Sequence, residues 1–261
     1  MPKIHVNDID LYYETAGQGQ PVLLIHGLGS STRDWEYQTP AFSTRYRVVA
    51  LDVRGHGQSD KPPGPYSIPL FTADTAELIR SLEIGSSHVV GISMGGMIAF
   101  QLAIDKPDLV QSLVIVNSGP ELIVRSLRDR FNVLQRSLLV RIFGMRKIGE
   151  FLGSRLFPKP EQEPLRHMFI ERWAENDRRA YLEAFQGLLG WSVLDHLHTI
   201  MCPTLVVASD EDYTSVSTKE AFLEKLPRAE LVVIEDARHA VTAERPEDFN
   251  KVVLDFLANQ T

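Results

Sequence analysis

Apolar residues follow two rhythms along this chain. Six runs are almost continuously branched or otherwise apolar: Val22–His26, Val48–Asp52, Ser87–Gly91, Leu113–Asn117, Thr204–Ser209 and Leu231–Glu235. Runs of this kind suit strands covered on both faces, as in a parallel sheet. Ahead of them, Ile4–Val6 and Asp10–Thr15, joined through Asn7–Ile9, read as a β-hairpin. Between the runs the spacing turns helical, over about Ser67–Leu82, Met94–Asp105, Ser217–Lys225 and Pro246–Ala258. In the last of these Pro246 suits a first helical turn, and Phe249, Val252, Val253 and Phe256 form one apolar stripe. The alternation predicts an α/β fold, a mostly parallel eight-stranded sheet flanked by helices.

The alternation fails once. From Gly119 to Leu197 the pattern is helical with no convincing strand, which predicts an insertion of roughly four helices. The expected organisation is a core built from residues 1–118 and 198–261, with a helical cap at 119–197. Residues 125–147 hold Arg125, Arg128, Arg130, Arg136, Arg141, Arg146 and Lys147 against only Asp129. Such an excess suits an anionic substrate or a membrane surface. Solvated helix faces explain it with less and are the preferred reading, with Leu127, Phe131, Leu134 and Leu138 packing on the domain below.

Composition narrows the class. The 261 residues are 44% hydrophobic and 23% charged, as in an ordinary globular domain carrying an insertion. A formal charge of −7 argues against nucleic acid as a partner. No apolar run is long enough to span a bilayer, so stable membrane insertion is not expected. The first residues lack a hydrophobic signal core, and Cys202 is the only cysteine, which together point to a cytoplasmic protein. Cys202, beside Pro203 at the start of a strand-like run, reads as a small buried hydrophobe. Nothing in the chain selects between a monomer and a homodimer.

The chemistry centres on Gly91-Ile92-Ser93-Met94-Gly95, which sits between a predicted strand and a predicted helix. A serine on so sharp a turn needs neighbours without a Cβ, and the turn leaves its hydroxyl exposed beside a helix N-terminus. A serine hydroxyl needs a base. Of the 8 histidines, His239 is best placed, in the loop after the last strand, because functional groups of open parallel sheets gather beyond the carboxyl ends of the strands. The His196-x-His198 pair is discounted as a metal site, since no carboxylate or cysteine completes a ligand set around it. The base needs an acid, and Asp210, Glu211 and Asp212 all follow the strand ending at Ser209. Backbone donors for an oxyanion are expected from Met94, next to the serine, and from Leu28 in Gly27-Leu28-Gly29, although a tight structural turn also explains those glycines.

These motifs together resemble the α/β-hydrolase superfamily in its serine-nucleophile branch, over nearly all of the chain outside the insertion. His26-Gly27-Leu28-Gly29 is similar to its oxyanion loop, and Gly91-Ile92-Ser93-Met94-Gly95-Gly96 to its nucleophile elbow. Asp52-Val53-Arg54-Gly55-His56-Gly57-Gln58-Ser59 resembles its Asp-x-Arg-Gly loop, and His239 with Glu244, Pro246 and Phe249 its histidine segment. The order serine, acid, histidine also agrees. The resemblance places the acid three residues after the strand end, at Asp212, although Ser209 stands where the family usually has glycine. Ala237 and Arg238 likewise replace the glycines usual before the histidine.

The resemblance implies a carboxylesterase-like hydrolase of a small acyl substrate, in which Ser93, His239 and Asp212 act through an acyl-enzyme with no cofactor or metal. Residues Asp60 to Tyr66 and the elbow resemble 3-oxoadipate enol-lactonases and carbon–carbon bond hydrolases. Perhydrolase activity and a slow-turnover ligand receptor remain alternatives on the same fold. Trp35, Phe143, Phe157, Trp173 and Trp191 are candidates for the pocket wall.

Overall fold

A computed structural model describes residues 2–260. In chain order the elements are β1 (Lys3–Val6), β2 (Ile9–Ala16), β3 (Pro21–Ile25), α1 (Gln38–Phe42), β4 (Arg47–Leu51), α2 (Ile68–Ser81), β5 (Ser87–Ile92), α3 (Met94–Asp105) and β6 (Val110–Val116). There follow α4 (Leu127–Leu156), α5 (Glu163–Ala174), α6 (Arg178–Leu188), β7 (Thr204–Ser209), α7 (Val216–Leu223), β8 (Ala229–Ile234), α8 (Val241–Glu244) and α9 (Pro246–Ala258). The strands form one sheet in the order β1-β2-β4-β3-β5-β6-β7-β8. From β4 to β8 every neighbouring pair is parallel, whereas β2 pairs with β1 and β4 antiparallel.

Period-two alternation in the central strands divides the core between the two faces of the sheet. In β3, Leu23 and Ile25 join Val89, Ile98 and Phe100 on one face, while Val22 and Leu24 join Val90, Phe249 and Val253 on the other. The predicted stripe of α9 is therefore the cover of that second face. The last predicted strand is the exception to double coverage: β8 is the sheet edge, and only Ile234 of its residues is buried. The order reverses at β3, which has β4 on one side and β5 on the other, so the loops after β3 and β5 open a crevice at the carboxyl end of the sheet.

Between β6 and β7 lie only helices and turns, apart from an isolated bridge between Glu121 and Ser192. α4 starts at a reciprocal cap, in which Ser126 Oγ accepts from Asp129 N and Asp129 accepts from Ser126 N. Gly144, at a φ of 78° and ψ of −174°, breaks α4 into two rods. With α5 and α6 this makes four helical pieces, as the spacing predicts. The second rod buries Met145, Ile148 and Leu152 against Trp173. The first rod departs from expectation: Leu127, Phe131, Leu134 and Leu138 do not pack on the domain below but face outward. No helix among the described residues is long and apolar enough to cross a membrane.

Candidate active site

The turn after β5 is built by close approach. Ser93 takes a φ of 54° and ψ of −117°, a positive φ that side-chain-bearing residues rarely adopt, and is then followed directly by α3. A Cβ on Gly91 would overlap the carbonyl of Gly95, and one on Gly95 would overlap the carbonyl of Ile25. Both positions exclude every residue but glycine on steric grounds. Strain at a non-glycine residue persists only where its surroundings hold it. Here Ser93 N donates to Val116 O at 3.0 Å, and Ser93 O accepts from Gly96 N at 2.9 Å and from Ser118 Oγ at 2.6 Å. The side chain is left free: among the described residues Ser93 Oγ has no hydrogen-bond partner, and it faces a cavity of about 690 Å³.

His239 and Asp212 reach the same cavity from the loops after β8 and β7. His239 Nδ1 lies 2.6 Å from Asp212 Oδ1. Of the three acids allowed by spacing, only Asp212 meets the histidine. Asp210 accepts from the amides of Asp236 and Ala237 at 3.1 Å each, and Glu211 pairs with Arg238. Burial alone would raise the Asp212 carboxyl, but hydrogen bonds and charge from His239 and Lys219 outweigh it and hold the group well below the ordinary carboxylate range. An ionised Asp212 fixes the proton of a neutral His239 on Nδ1, so Nε2 keeps the lone pair, and Nε2 has no partner among the described residues. Tyr213 stacks on the imidazole, ring centres 4.5 Å apart, and limits its rotation.

Leu28 and Met94 also line the cavity. Met94 opens α3, and amides of a first helical turn have no acceptor within the helix. The Leu28 amide, likewise, has no acceptor among the described residues. The loop that carries it is braced from behind. His26 Nε2 accepts from Val53 N at 3.0 Å, and Asp52 accepts from Thr32 N and Gln58 N at 2.7 Å each. Burial drives His26 down to about 4 and His56 to about 3, so both are neutral braces near neutral pH rather than bases. The Asp52–Ser59 motif thus serves geometry, and Arg54 is spent on the buried carboxylate of Asp74 at 2.6 Å.

Two residues of the site were absent from the motifs. Lys219, fully buried on α7, donates to Asp212 Oδ2, Thr214 O and Thr214 Oγ1 at 2.7–2.8 Å. Asn117, at a φ of 43°, donates to Ser209 Oγ and to the carbonyls of Arg238 and His239, and accepts from Ser209 N. It ties the acid-bearing strand end to the histidine loop, and Ser209, standing in place of glycine, supplies one of its partners. The aromatic candidates divide. Phe157 and Trp173 line the cavity, Trp35 lies in the core on the α9 face of the sheet, Trp191 donates to Gln101 away from it, and Phe143 is 64% exposed.

Comparison with known proteins agrees with this architecture. A 3-oxoadipate enol-lactonase of Acinetobacter baylyi is 30% identical over 97% of this chain and 97% of its own length. The enol-lactonase structure from Burkholderia xenovorans superposes with a TM-score of 0.91 at 26% identity, over 98% of this chain and 100% of that one. A thermophilic esterase from Thermogutta terrifontis, solved with malate bound, gives a TM-score of 0.89 at 27% identity, over 97% of this chain and 94% of that one. The family model described as "Alpha/beta hydrolase family" matches residues 22–252, and on that span, together with the eight-stranded sheet, the chain belongs to the alpha/beta hydrolase family.

Proposed function

We propose that the protein is a serine hydrolase of carboxylic esters or related acyl compounds, with Ser93 as nucleophile, His239 as general base and Asp212 as the acid that orients it. The single observation that carries this reading is the convergence in one cavity of a strained, unengaged serine and a histidine bound through Nδ1 to a buried carboxylate. Ser93 Oγ attacks the carbonyl while His239 Nε2 takes the hydroxyl proton. The amides of Leu28 and Met94 receive the oxyanion, each worth about 2.7–4 kcal/mol in a transition state of this kind. The tetrahedral intermediate collapses, His239 returns the proton to the departing alcohol, and an acyl-serine remains. Water, deprotonated by the same imidazole, then releases the acid and restores Ser93.

Residues 119–197 act in this proposal as a cap over the cavity, to which α5 contributes Phe169 and Trp173. A cavity of about 690 Å³ fits a small molecule. The enol-lactonase relatives favour a cyclic ester as the second substrate to try, since ring opening follows the same steps with the leaving oxygen tethered.

Ser93→Ala should retain the thermal midpoint of the wild type and lose at least about a thousandfold in turnover of a short aryl ester. Equal turnover by both proteins would reject Ser93 as the nucleophile.

A further inference from the structure

The first rod of α4, residues 127–143, presents its apolar side to solvent. Leu127, Phe131, Leu134, Leu138 and Ile142 are spaced by four, three, four and four residues, so they form one stripe along the helix. They are 81%, 63%, 55%, 43% and 66% exposed, in that order. The opposite side is the one turned inward: Val140 is fully buried, and the Arg136 guanidinium lies 4.6 Å over the Phe185 ring. The stripe is about 22 Å long at 1.5 Å per residue. A contiguous apolar strip of that length is unusual on a surface left in water.

Its shoulders are cationic. Arg130 and Arg141 flank the stripe on one side and Arg128 on the other, all exposed and none in a salt bridge among the described residues. The remaining cations of the region are spent. Arg125 pairs with Glu121, Arg146 with Glu171 and Lys147 with Glu150, and Arg136 donates to Tyr181 Oη. A helix with a narrow apolar stripe between unpaired arginines matches the boundary between acyl chains and anionic headgroups, where the stripe sinks in and the guanidinium groups reach the phosphates.

We infer that the first rod of α4 docks the protein on an anionic lipid surface. Charge selects this occupant over a second copy of the chain. Two such helices face to face would set arginines against arginines, and like-charge juxtaposition across an interface is unfavourable. The chain as a whole carries −7, so its excess negative charge lies outside this cationic face. The inward side of the same rod lines the cavity through Arg136, beside the residues leading into α4, Leu122, Ile123 and Arg125. Docking of the outer side therefore sets the cavity one helix away from the lipid surface. It does not rest on the hydrolase reading, since lipid binding and ester turnover are measured separately.

The full chain is sedimented with vesicles of phosphatidylcholine alone and of phosphatidylcholine mixed with phosphatidylglycerol. Wild type should pellet with the anionic vesicles, weakly with the neutral ones, and less as salt rises. Arg128→Gln/Arg130→Gln/Arg141→Gln should bind about a hundredfold more weakly. Phe131→Ser/Leu138→Ser should stay in the supernatant, while its thermal midpoint and its turnover of a soluble aryl ester match the wild type. Wild type that ignores both vesicle types, or a Phe131→Ser/Leu138→Ser variant that pellets like wild type, would overturn the inference. A wild-type dimer by light scattering that the same variant dissolves, without vesicle binding, would assign the face to a second copy instead.

Discussion

The strand ends and the first rod of α4 are built on opposite terms. At the strand ends nearly every polar group is committed: Asp212 to His239 and Lys219, Asn117 to both neighbouring loops, Asp210 to two amides, and Ser93 O to Ser118. Among the described residues, what stays uncommitted there is the Ser93 hydroxyl, His239 Nε2 and the amides of Leu28 and Met94, the four atoms the proposed acyl transfer would use. On the outer face of the first rod of α4 the reverse holds: Arg128, Arg130 and Arg141 are in no salt bridge among the described residues, and the apolar stripe is uncovered. In the proposed reaction, reactivity at the first region would come from a few atoms left free in a rigid setting. At the second, a whole surface is left free, which suits a partner that is itself extended.

The sharpest way to break this comparison is to exchange the roles of the two neighbouring acids. Asp212→Asn removes the charge that fixes the imidazole tautomer, and turnover of an aryl ester should fall by about four orders of magnitude, or about 5.5 kcal/mol. Asp210→Asn keeps an oxygen to accept one of its two amides and should change turnover less than tenfold. Steady-state kinetics of both variants, with circular dichroism to show folding, separates them. Equal losses would mean that both carboxylates only hold the loops together.

A smaller effect compares the two rods of α4. Leu152, 8% exposed and packed in the cluster around Trp173, should cost about 2–5 kcal/mol when changed to alanine. Leu134, 55% exposed on the first rod, should cost no more than about 0.5 kcal/mol. Urea unfolding of both variants checks this. A large loss at Leu134 would show that the outer stripe is covered in solution by the protein's own chain or by a second copy.

Much of the strand-end region was legible in residue order because its constraints are local. Gly91 and Gly95 are required by contacts within a turn, and Asp212 and His239 follow strands whose ends the apolar runs locate to within a residue or two. The choice of Asp212 over Asp210 rested on likeness to a family pattern; of the two, Asp212 is the one beside His239 Nδ1. Lys219 was not legible, because its carboxylate partner is fixed by how α7 folds back on the loop before it, and a lone lysine on a short helix carries no spacing signal. Asn117 was hidden for a similar reason: its partners lie 92 to 122 residues away along the chain. The stripe of α4 was visible as a period, but periodicity gives a face and not its direction. Gly144 turns the two rods relative to one another, so burial of one stripe does not carry over to the other.

The most direct measurement is the intact mass of the protein after treatment with a fluorophosphonate, followed by peptide mapping. One phosphonyl group should be found on Ser93, formed slowly or not at all in His239→Gln and absent in Ser93→Ala. Label on another residue, or an unlabelled protein that still turns over ester in the presence of the reagent, would contradict the assignment of Ser93 as the reacting group.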